Sequence, residues 1–134
     1  MRLEDEIVRE WLVKAQNDLS SAELLLTADK PIRDTGCFHC QQAAEKALKA
    51  FLSYQGIEFE KSHSLVYLVD LCIGLDRDFQ VLQSDARDLT IYAVGIRYPG
   101  EFIEPDENEA QAALEMAYTV WNFVLKRLPA TVYP

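Results

Sequence analysis

From Ile7 to Leu128 the apolar residues recur at intervals of three and four, and strand-like alternation is scarce. That spacing returns apolar side chains to one face of an α-helix on every turn. Gly and Pro number only five each in 134 residues, so few positions interrupt the pattern. The pattern therefore predicts an all-α fold. The length suits a single domain spanning residues 1–134, with room for one core without disulfide staples.

Five helices can be placed. The first runs from about Asp5 to Ala28, with Ile7, Trp11, Ala15, Leu19, Ala22 and Leu26 as its stripe. Lys30-Pro31 breaks it, and Asp34 is a candidate N-cap for the next. The second buries Phe38, Ala44, Ala47, Leu48 and Phe51, and Gly56 sits where a helix end favours a left-handed residue. Glu45 precedes Lys49 by four residues, the favourable order for an ion pair on a helix surface. A linker, Ile57 to Ser62, leads to a short helix carrying Leu65, Leu68, Val69, Cys72 and Leu75, capped by Ser62 or Ser64. The fourth is expected from about Asp78 to Ile96, closed by Pro99-Gly100. The last begins at Asp106, where Glu109 completes an acidic capping box, and continues through Ala110, Ala113, Leu114, Ala117, Trp121, Val124 and Leu128 to Pro129. Burying such stripes predicts an antiparallel up-and-down helical bundle of four main helices plus a short extra helix.

The net charge is −9. Such a charge opposes non-specific adhesion to nucleic acid or anionic membrane, while leaving room for a local basic site. From Lys30 to Lys61 five bases meet four acids, but from Glu101 to Glu115 there are six acids and no base. The acidic run offsets the positive end of the last helix dipole. No apolar run approaches the roughly 18 residues of a membrane span. The start, Met1-Arg2-Leu3-Glu4-Asp5-Glu6, has no signal-peptide pattern, so a cytoplasmic protein is expected.

The sequence has no P-loop, dinucleotide fingerprint, zincin, EF-hand or nucleophile-elbow motif. Cys37-Phe38-His39-Cys40 offers a zinc-like pair, with Cys72 or His63 as further ligands, but no second ligand pair at zinc-ribbon spacing accompanies it. The expected state of Cys37, Cys40 and Cys72 is reduced, without metal or other cofactor. Gln41 and Gln42 are adjacent on a helix, so one must approach the apolar side and find a partner there. Lys61-Ser62-His63-Ser64-Leu65 lies at a helix start. His63 there either contacts a phosphate or hydrogen-bonds across the loop. Arg97-Tyr98-Pro99 either seats an Arg at a helix C-terminus or offers a phosphate fork beside a stacking ring.

Together these segments resemble the HEPN domain, the nucleotide-binding helical domain of higher eukaryotes and prokaryotes. The resemblance rests on Trp11, Asp18-Leu19 and Ala22 to Leu26, on the run from Cys37 to Ala50, on Lys61 to Leu65, on Arg97-Tyr98-Pro99, and on Glu109 to Leu125. It implies a four-helix bundle, usually a homodimer, and in many prokaryotic members a minimal nucleotidyltransferase partner in a toxin–antitoxin module. Active HEPN toxins are metal-independent ribonucleases with an Arg, four to six intervening residues and a His. Counted from Arg97, the second position falls on Phe102, Ile103 or Glu104, and none is His. The resulting expectation is a non-catalytic protein that binds a nucleotide through Arg97, Tyr98, Lys61 and His63, or binds a nucleotidyltransferase. A divergent ribonuclease acting on RNA through Arg97, with His63 or Glu104, and a dimeric scaffold without ligand are the alternatives.

Overall fold

The computed structural model describes residues 2–93, 99 and 104–134. Among them are five α-helices and no strand: α1 (Leu3–Thr27), α2 (Arg33–Tyr54), α3 (Leu65–Ile73), α4 (Gln83–Thr90) and α5 (Glu107–Leu125). A 3-10 segment, Arg77–Leu82, leads into α4, and another, Ala130–Val132, follows α5. No helix among the described residues is long and apolar enough to cross a membrane.

Helix α2 is the axis, packed against α1, α3, α4 and α5. Its alanines make this possible. Ala43, Ala44, Ala47 and Ala50 are buried and let neighbouring backbones come close. α1 runs antiparallel to it: Leu26 meets Gly36 near one end, and Trp11 meets Lys49 near the other. α4 is also antiparallel to α2. Phe79, just before it, packs on Phe51, while Tyr92, just after it, feels Cys37. Leu12, Leu48, Leu52, Leu68, Leu82, Leu89 and Val120 fill the core between these helices. This is the expected bundle of four main helices with α3 as the extra one.

The ends have local causes. At the C-terminus of α2, Gly56 takes φ +70°. Its N–H donates to Ser53 O and that of Ile57 to Leu52 O, the paired bonds of a left-handed helix stop. Ser64, rather than Ser62, caps α3 by accepting from the Tyr67 N–H. At α5 both halves of the capping box form: Glu109 N–H donates to Asp106 and Asp106 N–H to Glu109. After α5 the chain folds back, and the Tyr133 phenol donates to the carbonyls of Leu125 and Leu128. Arg127 pins the other connection, with Nε 2.9 Å from Asp76 and its guanidinium carbon 3.6 Å from the Phe123 ring centroid. The Asp78 N–H and Arg127 together hold the Asp76 carboxyl below its ordinary range.

Several expectations need correcting. Phe38 of α2 is half-buried, and Leu75 is exposed beyond the end of α3 at Ile73. The buried line of α1 is Val8, Leu12, Ala15, Leu19 and Ala22, while Ile7 is exposed and Trp11 and Leu26 are half-buried. Ala15, Leu19 and Ala22 are buried as expected, but the adjacent apolar pairs Ile7-Val8 and Trp11-Leu12 allow the first two turns to be drawn one residue off, a rotation of about 100°. The fourth helix is shorter than expected. Its first part is 3-10, and α4 stops at Thr90, where the Tyr92 and Ala93 N–H groups take i−3 carbonyls. The expected continuation to Ile96 lies partly outside the described residues. Asp34 sits inside the first turn of α2 and accepts from Thr35 N–H, so the N-cap position falls to Ile32.

A Cβ added at Gly36 would stand 2.4 Å from Leu26 Cδ2 and 2.6 Å from Cγ. Gly36→Ala should therefore lower stability by about 1–3 kcal/mol, even though Ala is the better helix former. In a Leu26→Ala background the clash is gone, and the same change should become stabilising. Urea unfolding of the four proteins in the cycle measures this sign reversal.

Candidate functional site

The polar chemistry of the described residues is concentrated along α2. Gln41, Glu45 and Lys49, spaced by four, form one line on the helix. Each is buried: Gln41 is 0% exposed, Glu45 3% and Lys49 8%. Charge in such surroundings must be paired and hydrogen-bonded to be tolerated. Glu45 meets that demand with three donors. Lys49 Nζ lies 3.0 Å from Oε2, while His63 Nδ1 at 2.9 Å and Gln41 Nε2 at 3.2 Å share Oε1. Gln41 also donates to the His63 carbonyl and accepts from Gln42 at 2.7 Å. Lys49 lies 5.6 Å from the Trp11 ring centroid and 5.8 Å from that of Phe59, which gives its charge two aromatic faces.

The Glu45–Lys49 pair exists, but in the interior rather than on the surface as expected. Spacing alone predicts the pair and not its depth. The glutamine expectation is met by Gln41, whose partners are a backbone carbonyl and its neighbours. His63 bonds across the loop through both ring and backbone, which fastens the start of α3 to α2. Its ring still stands 71% exposed, with Nδ1 fixed by Glu45. Lys61, two residues earlier on the same loop, is exposed. Arg97 and Tyr98, the other two expected site residues, lie outside the described residues.

A second cluster joins α1 to α2. Asp18, only 7% exposed, accepts from His39 Nδ1 at 2.8 Å through Oδ1 and from Lys46 Nζ at 2.6 Å through Oδ2. Sequence reading missed this trio because its members are 21 and 28 positions apart. One signal was present: Asp18 falls three after Ala15 and four before Ala22, a polar residue on the buried face of α1. Beyond Trp11, a groove of about 250 Å³ is lined by Ile7, Glu10, Trp11 and Lys14.

The cysteines form no such cluster. Cys37, Cys40 and Cys72 are buried free thiols. Burial pushes Cys37 to about 11 and Cys72 to about 12, and moves Cys40 in the same direction, away from the reactive thiolate. Among the described residues no group of three His, Cys, Asp or Glu side chains is arranged to hold a metal ion.

The HEPN domain profile matches residues 8–128. Two solved structures are similar. TT1696 from Thermus thermophilus superposes with a TM-score of 0.74 at 30% identity, covering 92% of this chain and 99% of that one. ST0689, an archaeal HEPN homologue, gives a TM-score of 0.71 at 28% identity, with 90% and 96% covered. No curated protein matches.

Removing Glu45 should expose the cost of the buried cation it neutralises. Glu45→Ala should destabilise by about 3–5 kcal/mol, because Lys49 is left charged and unpaired in the interior. Glu45→Ala combined with Lys49→Met should cost much less than the two single changes summed. Chemical denaturation across this cycle gives the coupling.

Proposed function

Because the chain belongs to the HEPN domain family, we propose that it is a binding module that does not cleave RNA. The observation that carries this reading is the position of its two histidines. Both precede Arg97 in the sequence, and each has Nδ1 engaged by a buried carboxylate, His39 by Asp18 and His63 by Glu45. HEPN ribonuclease chemistry needs a His four to six intervening residues after the Arg. There it moves the proton while the Arg stabilises the phosphorane. At that spacing this chain has Phe102, Ile103 and Glu104.

The ligand in this reading is a nucleoside phosphate. Arg97 supplies a planar fork for phosphate oxygens, and Tyr98 supplies a ring for the base. His63, oriented by Glu45, and the exposed Lys61 contribute from the loop before α3. The protein partners in this reading are a second copy of the chain and a minimal nucleotidyltransferase. Support for self-association comes from α1, where Leu3 is 69% and Ile7 45% exposed beside the groove at Trp11. A cytoplasmic setting completes the proposal.

Titration with ATP, AMP and a short RNA, with cleavage followed on a gel, tests it. Nucleotide binding without cleavage is expected. Arg97→Ala should abolish binding at the Arg97–Tyr98 site, and Arg97→Lys should keep only part, since Lys has the charge but not the fork. Metal-independent cleavage lost in Arg97→Ala would overturn the reading. Light scattering should give about 31 kDa, twice the 15.3 kDa chain.

A further inference from the structure

We propose that His39 and Lys46 form a phosphate-binding site, one that does not depend on Arg97, on the strip of α2 between Gly36 and Leu52 that reaches solvent. Between Gly36 and Leu52 every residue of α2 is buried except Phe38, His39, Gln42 and Lys46. His39, Gln42 and Lys46 are spaced by three and four and so share one face. Two of these three are cations or potential cations.

The Asp18 carboxylate sets their chemistry. A carboxylate only accepts, so His39 Nδ1 carries the proton that faces it. The other ring nitrogen, Nε2, has no protein partner among the described residues. The His39 side chain is 28% exposed. Lys46 gives one ammonium proton to Asp18 Oδ2 and keeps two. One carboxylate thus holds two nitrogen groups at fixed orientation, Lys46 with donors left over and His39 Nε2 able to accept from a phosphate hydroxyl.

The ligand class follows from charge. Lys46 neutralises Asp18, so the trio carries no net negative charge to oppose an anion. Lys14 adds another positive charge from the turn of α1 preceding Asp18, and Glu45 is already neutralised by Lys49. Glu10 lies two turns back along α1, about 12 Å away. A divalent cation would be repelled by the Lys46 ammonium, so metal binding at Nε2 is disfavoured. A tetrahedral phosphate can accept from Lys46 through one oxygen and donate its hydroxyl to His39 Nε2. A strut between the helices would need only Lys46 and Asp18. The oriented, half-open imidazole is the part a strut leaves unexplained.

The phosphate can be free or carried on a nucleoside, and the experiment separates these sources. Histidine ring resonances are followed by NMR at constant pH and ionic strength during titration with inorganic phosphate, AMP and adenosine. Saturable movement of the His39 Nε2 signal is expected with phosphate and AMP, and none with adenosine. AMP binding much more tightly than phosphate identifies a nucleotide, and equal affinity identifies phosphate alone. Lys46→Gln should weaken binding about tenfold in this titration, and His39→Gln should do so by calorimetry. Lys46→Arg, which keeps the Asp18 pair, should retain it. The same titration of Arg97→Ala must leave the His39 response in place. A His39 response that vanishes in Arg97→Ala, or that never appears in the wild type, overturns the proposal. The first result would leave the Arg97 nucleotide site standing.

Discussion

A carboxylate enclosed in an apolar bundle has to be met by donors, and Glu45 imposes that requirement on everything around it. Its partners come from three directions: Lys49 one turn on, Gln41 one turn back, and His63 from the loop before α3. The loop cannot move away without stranding Glu45, and α3 cannot start elsewhere without moving the loop. Trp11 and Phe59 then close over Lys49 from α1 and the loop. Burying such a group costs free energy relative to a hydrophobic residue of similar shape. What it provides is a defined placement of one element on another, which greasy contact alone specifies less sharply.

How much of this could be read from the sequence depended on whether the determinant was local. The capping box at Asp106 and Glu109 and the left-handed stop at Gly56 are written in a few neighbouring residues, and both formed as read. The need of Gln41 for a partner was also legible, because two adjacent glutamines cannot both face water on a buried helix. Which residues of the first turns of α1 turn inward was not, since Ile7-Val8 and Trp11-Leu12 serve either of two stripes and only packing decides. The depth of Glu45 and Lys49 was misread for a related reason: a spacing of four describes a helix surface equally well wherever that surface ends up. Asp18, His39 and Lys46 come from two helices, and only the tertiary fold brings them together.

The two clusters share a design. In each, one buried carboxylate bridges a lysine and a histidine, Asp18 with Lys46 and His39, and Glu45 with Lys49 and His63. Their settings differ. Lys49 is sealed under aromatic rings, so the Glu45 cluster is mainly an interior tie, with only the His63 ring in water. The Asp18 cluster is shallower, with both its nitrogen partners partly accessible. Similar chemistry at two depths thus has different consequences, one fixing the loop and the other leaving donors for a ligand.

The small side chains of α2 carry a consequence for divergence. Ala43, Ala44, Ala47 and Ala50 act as spacers that set how near the other helices can come. Lengthening one of them would wedge a neighbouring helix outward unless the residue facing it shrank to match. Drift is therefore tolerated on the outer faces of α1 and α5 but confined along this axis. A lineage could rewrite most of its surface, and with it its partners, while the segment from Cys37 to Ala50 stayed recognisable.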